Sequence, residues 1–177
     1  MKHDEWIAHI KTLGGERKYV EPATGTVNPR VFIDRLAKKM PANVTVVADV
    51  GQNQIWTCTE YKFRKEGRLL TSGGMGTMGY SVPAAIGAKM ADNSRATVAI
   101  CGDGAFQMSF MELATAVQFG VDIKVVVMTN NRLGMVRELQ TNGYHDRQTA
   151  VFLDGSPDFI KLAEAYGIPA MLSLIHI

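Results

Sequence analysis

Two residues carry most of the chemistry this sequence can do. Asp103 sits between Gly102 and Gly104, and Asn130 follows 27 residues later. A carboxylate flanked by two glycines suits a hard cation close to a bound anion, because glycine permits a tight turn and lets the backbone approach a phosphate. Mg²⁺ takes oxygen ligands in octahedral geometry, and it surrounds one or two protein oxygens with phosphate oxygens and water. The amide oxygen of Asn130 would be a neutral second ligand. Each piece alone has a plainer reading. A lone GDG is most often a surface turn, and Asn130-Asn131 is a turn-forming pair because Asn tolerates left-handed geometry. At the ends of neighbouring strands the two together make half of a Mg²⁺ cage.

A third word, Gly74-Met75-Gly76-Thr77-Met78-Gly79, satisfies GxGxxG between a strand and a helix, the fingerprint of dinucleotide binding. The next strand even ends on an acid, Asp103. A ribose-binding acid has no need of glycine on both sides, though, and a dinucleotide leaves Asn130 without a task. Met78 by itself reads as a core methionine.

These residues need elements to position them. Asn28-Pro29 starts a helix, with Asn as the cap and Pro at the first helical position. Val31, Phe32, Leu36 and Met40 continue it at helical spacing, and Pro41 closes it. Val44–Ala48 (VTVVA), Leu69–Thr71, Ala96–Cys101 and Ile123–Met128 read as strands. Trp56–Tyr61, Ser81–Met90, Phe110–Phe119, Leu133–Leu139 and Pro157–Tyr166 read as helices. Continuous apolar strands alternating with helices predict an α/β fold: a doubly wound parallel sheet with helices on both faces. Ligands of such sheets lie outside the carboxyl ends of the strands. The turns VGQN, SGGMGTMG, GDGAF and TNNRLGM should therefore share one edge.

Composition narrows the class. The 177 residues suit one α/β domain; 46% are hydrophobic and 20% charged, as in soluble globular proteins. A net charge of +2, from 19 basic and 17 acidic residues, argues for neither nucleic acid nor a membrane surface, and no basic cluster stands out along the chain. The apolar runs are strand-length and span no bilayer. The charged start MKHDEWIAHIK argues against export. Cys58 and Cys101 both fall in apolar surroundings, so two buried free thiols in a reducing, cytoplasmic compartment are expected. The four histidines lack ligand spacing.

Residues 1–26 read as an incoming linker and 27–171 as the domain. Residues 172–177, LSLIHI, do not continue the pattern. They equal the translation of CTGTCTCTTATACACATC, a transposon adapter end used in sequencing libraries. They are expected to be non-native, with the gene continuing beyond Met171.

The words DVGQNQIW, SGGMGTMGYSVPAAIGAKMA, CGDGAFQMSFMELATA and NNRLGMVRELQ resemble the large catalytic subunit of acetolactate synthase (acetohydroxyacid synthase), a thiamine diphosphate enzyme. The resemblance runs from about Val27 to Met171. It implies that Asp103 and Asn130 are side-chain Mg²⁺ ligands and that Arg132 supplies a backbone carbonyl. The family usually reads Asn-Asn with the second Asn as ligand. Counting back from Leu133-Gly134-Met135 makes Asn130 that residue and Thr129 the replacement of the first, so Asn131 is a spurious partner. Val50, Gly51, Gln52 and Asn53 match the turn that cradles the diphosphate, and Asn53 is often His in relatives. Gly102, Gly104 and Ala105 match the phosphate-facing turn and helix start. Gly76 and Met78 match the stretch against the cofactor's middle, with Met78 as the wedge that bends it. Leu133, Gly134 and Met135 complete the cofactor contacts, and Met135 also lies beside the substrate. Leu139 departs from the family's usual Trp at the mouth of the substrate channel, which leaves substrate preference and inhibitor response open.

The resemblance further implies an enzyme that decarboxylates pyruvate and condenses the two-carbon unit with a second 2-oxo acid, in branched-chain amino acid biosynthesis. FAD is bound largely outside this chain. A homodimer or higher homo-oligomer and a regulatory subunit are the implied protein partners. The family's proton-relay glutamate belongs to an N-terminal domain absent here, so the chain alone is expected to be inactive. Another carboligase of the same cofactor family, such as glyoxylate carboligase, is the nearest alternative. A non-catalytic nucleotide-binding α/β module is the alternative from a different class.

Overall fold

A computed structural model describes residues 3–13 and 25–173. Helix α1 (Asp4–Leu13) buries none of its residues. It lies within the segment read as a linker. Residues 1–2 and 14–24 of that segment, and 174–177 of the tail read as non-native, fall outside the described residues. Helix α2 (Pro29–Lys39) starts as its sequence dictates. The Asn28 side-chain oxygen accepts from Arg30 N at 3.0 Å and Val31 N at 3.4 Å, and Pro29 stands where an N–H would find no partner.

Four strands follow: β1 (Thr45–Ala48), β2 (Arg68–Thr71), β3 (Thr97–Gly102) and β4 (Lys124–Met128). They form one parallel sheet in the order β2-β1-β3-β4. Helix α3 (Gln52–Glu60) leads from β1 to β2, and α4 (Ser81–Ala91) from β2 to β3. The short α5 (Asp103–Phe106), a 3₁₀ turn at Phe110–Glu112 and α6 (Leu113–Gln118) lead to β4; α7 (Gly134–Gly143) and α8 (Phe159–Ala165) close the described chain.

Alternate residues of each strand serve opposite faces, as the pleat requires. Val46, Val98 and Ile100 pack with Ile33 and Ala37 of α2 and with Tyr61. Val47 and Ala99 pack with Ala85 of α4, and Cys101 with Val82, Ile86, Phe106, Leu113 and Ala116. With both faces covered, the strands are apolar on both sides, which is why they read as continuous runs. The doubly wound arrangement is the expected one. From β1 the chain turns outward to β2, then crosses back over β1 to β3. The crevice beyond the ends of β1 and β3 is thus the topological switch point of the sheet, where ligands of this architecture bind.

Several expectations need correction. Helix α3 begins at Gln52 rather than Trp56, which places Gln52 and Asn53 in its first turn. Its buried residues are Asn53, Thr57 and Glu60, a polar stripe that apolar periodicity cannot detect. Glu60 explains its own burial by meeting Arg30 at 2.7 Å. Cys58 lies one step round the helix from Thr57 and is exposed, so only Cys101 is a buried thiol. The helix expected over Phe110–Phe119 splits into the 3₁₀ turn and α6. Folding also assembles a small basic cluster that is dispersed in sequence: Lys38, Lys62 and Arg64, with Ala37, line a cavity of about 310 Å³. Among the described residues no helix is long and apolar enough to cross a membrane.

Ile33 is fully buried between α2 and the sheet. Ile33→Ala is expected to cost about 3 kcal/mol, the usual range for a large core truncation being roughly 2–5. Urea unfolding would show a lower midpoint with an unchanged slope.

Candidate functional site

The four turns do converge at the carboxyl edge, and two buried carboxylates hold them there. Asp49, directly after β1, is fully buried. Its Oδ1 accepts from Val50 N at 2.8 Å and Gly79 N at 3.0 Å, and its Oδ2 from Ser81 N at 2.8 Å. One side chain thereby joins the first turn, the glycine-rich loop and the start of α4. Asp103, directly after β3, is 2% exposed. Its Oδ1 accepts from Gly104 N at 2.8 Å, and its Oδ2 from Asn130 N at 3.0 Å and Asn131 N at 2.6 Å. The GDG turn and the segment after β4 are thus one unit. Residue patterning does not reveal this role of Asp49. Its signal was a lone acid ending a β-branched run.

Between these carboxylates lies Cys101. Burial pushes its thiol well above the usual range, Asp49 adds to that, the Ser81 hydroxyl opposes it and Asp103 adds a little more. It stays a neutral, inert thiol.

Asn53 is 3% exposed. Its amide nitrogen donates to Asp49 O at 2.8 Å and Ile100 O at 3.2 Å, so both of its N–H groups brace the crevice between β1 and β3. Of the four residues matched to the diphosphate turn, it is the one turned into the protein; Val50, Gly51 and Gln52 are half-buried.

Asn130 and Asn131 differ sharply. The Asn130 side-chain oxygen accepts from Arg132 N at 2.9 Å, which fixes the amide and leaves one lone pair free. Asn131 has φ 54° and its carbonyl accepts from Leu153 N at 2.9 Å. It is the turn-forming member of the pair. Arg132 pairs antiparallel with Phe152, stacks its guanidinium 4.3 Å from that ring, and meets Asp154 at 3.0 Å. Its backbone position is set by an arm of chain that sequence patterning did not identify.

The apolar side of the site gathers on Gly104. A Cβ there would lie 2.7 Å from Leu133 Cδ2, 3.2 Å from Leu153 Cδ1 and 3.5 Å from Met78 Cε. Met78 and Leu133 therefore both reach over the GDG turn. Ala105 is buried beneath. Gly76 is exposed, Met135 half-buried, and Leu139, on α7, is 61% exposed.

The donor set fits a divalent, oxygen-loving cation. Asp103 Oδ1 takes a single N–H and keeps a lone pair, as does the Asn130 amide oxygen. Among the described residues no three His, Cys, Asp or Glu side chains group to hold a metal. A cation here would rely on few protein ligands plus oxygens from an anion and water, the habit of Mg²⁺.

The fold and edge define an α/β domain that takes its ligand at the switch point of a parallel sheet. The profile of the family "Thiamine pyrophosphate enzyme, C-terminal TPP binding domain" matches residues 49–176, and the chain belongs to that family. Among its relatives, the acetolactate synthase large subunit of Lactococcus lactis subsp. lactis (strain IL1403) is 43% identical over 166 residues, covering 93% of this chain and 29% of that protein. The probable acetolactate synthase large subunit of Methanococcus aeolicus is 44% identical over 175 residues, covering 94% and 29%. The acetolactate synthase isozyme 3 large subunit of Escherichia coli (strain K12) is 40% identical over 141 residues, covering 80% and 25%. The chain thus spans less than a third of the length of these relatives.

Asp49→Asn turns an acceptor into an N–H₂ that must face a backbone N–H. It is expected to destabilise the chain by about 3 kcal/mol, given roughly 1.5–3 for one hydrogen bond to a charged group. Asp158→Asn, at the exposed cap of α8, should change stability by less than about 0.5 kcal/mol, since Asn caps as well as Asp. Equal effects in urea unfolding would contradict the role given to Asp49.

Proposed function

We propose that this chain is the diphosphate- and Mg²⁺-binding domain of an acetolactate synthase large subunit. Such an enzyme acts on pyruvate and a second 2-oxo acid. The observation that carries the reading is Asp103: its carboxylate accepts the backbone N–H groups of both Asn130 and Asn131, so the GDG turn and the segment that bears the Asn130 amide are held together at neighbouring strand ends. The similarity to acetolactate synthase large subunits supplies the activity.

On this reading Asp103, the Asn130 amide oxygen and the Arg132 carbonyl hold Mg²⁺. Val50, Gly51 and Gln52, with the helix start at Gly104 and Ala105, receive the diphosphate. Gly102 lets the backbone come close, and Asn53 braces the turn. Gly76, Met78, Leu133, Gly134 and Met135 hold the cofactor's middle and exclude water. Met135 and Leu139 border the substrate channel, where an exposed Leu139 leaves room that an indole would fill. Bound thiamine diphosphate supplies the electron sink for decarboxylating a 2-oxo acid. The residues of this chain bind and orient it; the proton-relay glutamate and most of the FAD site belong, on the same reading, to other domains of the full-length enzyme. A homo-oligomer, a regulatory subunit, the cytoplasm as compartment and a domain over 27–171 belong to the same proposal.

Isothermal titration of the full-length protein with thiamine diphosphate and Mg²⁺ tests the ligand assignment. Asn130→Ala and Asp103→Ala are expected to weaken binding at least tenfold. Asn131→Gly keeps the positive φ and should stay within about threefold. The reverse order of the two Asn variants would overturn the choice of Asn130. The chain alone is expected to turn over no pyruvate, and measurable turnover would refute the division of labour.

A further inference from the structure

We infer that Glu138 is a positioning residue that clamps the Gln52 side chain across the site, beside Asn130. The inference rests on the cofactor reading just given and adds a residue to it. Gln52 stands in the first turn of α3 and Glu138 one turn into α7, 86 residues apart, yet Gln52 Nε2 donates to Glu138 Oε2 at 2.9 Å. The path between them runs over Gly134. The place of a Cβ on Gly134 is filled by the Gln52 amide oxygen, with Gln52 Cδ 2.9 Å and Asn130 Nδ2 3.1 Å from that point. The amides of Gln52 and Asn130 therefore share the space that a side chain at 134 would take. Gly134 is what lets the turn after β1 reach the turn after β4.

Glutamine has a long, flexible side chain that loses rotamer freedom when fixed. A carboxylate acceptor gives a charge-assisted bond, stronger than a neutral one. Glu138 thus holds the amide in one orientation. The amide nitrogen has two N–H groups; one goes to Glu138 and the other is left to point at an anionic oxygen. Preorganised in this way, the donor needs no ordering when the diphosphate arrives. Glu138 touches neither cofactor nor metal in this scheme; it acts through Gln52.

The test is the affinity of the full-length protein for thiamine diphosphate at saturating Mg²⁺, by isothermal titration. Glu138→Ala is expected to weaken binding by up to roughly tenfold, the scale of one hydrogen bond to a charged group. Glu138→Gln should stay within about twofold, because its amide oxygen still accepts. In a Gln52→Ala background, Glu138→Ala should have no further effect. The clamp is overturned if Glu138→Gln is as damaging as Glu138→Ala, if Glu138→Ala binds like the wild type, or if its effect persists undiminished in the Gln52→Ala background. Those results would leave the cofactor reading intact. Failure of the wild type to bind thiamine diphosphate with Mg²⁺ would instead bring down both.

Discussion

A carboxylate withdrawn from water must find hydrogen bonds equal to those it gave up. Asp49 and Asp103 meet that demand with main-chain N–H groups, three each, drawn from segments far apart in sequence. Their burial is therefore what organises the working edge. Asp49 fixes the glycine-rich loop against the end of β1. Asp103 fixes the segment after β4 against the end of β3. Because β1 and β3 are paired in the sheet, the two assemblies are locked to one another.

This arrangement explains how few side chains the edge needs. Once Asp103 holds the amides of residues 130 and 131, the Asn130 oxygen is placed by its own bond to Arg132 N. Asn53, bridging Asp49 O and Ile100 O, seals the crevice from beneath. Between the two acids, burial keeps Cys101 a neutral thiol. The two carboxylates and the Asn53 amide nitrogen are thus satisfied from within the protein.

The sheet and most helices were legible because burial on both faces leaves continuous apolar runs, and because Asn28-Pro29 and Pro41 punctuate α2 without ambiguity. The pairing of Asp103 with Asn130 was legible from spacing and resemblance, and the structure sets Asn130 apart from Asn131 by backbone geometry. What escaped notice shares one cause. The start of α3 and the hub at Asp49 are buried polar features, held by hydrogen bonds to distant backbone, and neither periodicity nor composition records such partners. The exposure of Cys58 follows from the same misreading, since the apolar neighbours that suggested burial are not the face α3 presents to the core. Nor does residue order reveal that Lys38 lies close to Lys62 and Arg64 across a fold.

Helix α7 buries none of its residues, while the turns beside it are anchored through main-chain atoms. Anchorage is thus insensitive to most side chains of α7, provided Gly134 stays bare and Glu138 keeps its bond to Gln52. Substitutions along its outer surface, at Leu139 for instance, can reshape what approaches the site without a penalty to the core or to the holding of a ligand's charged end. The domain separates a fixed grip from a variable doorway, and the two can diverge independently across descendants of one ancestor.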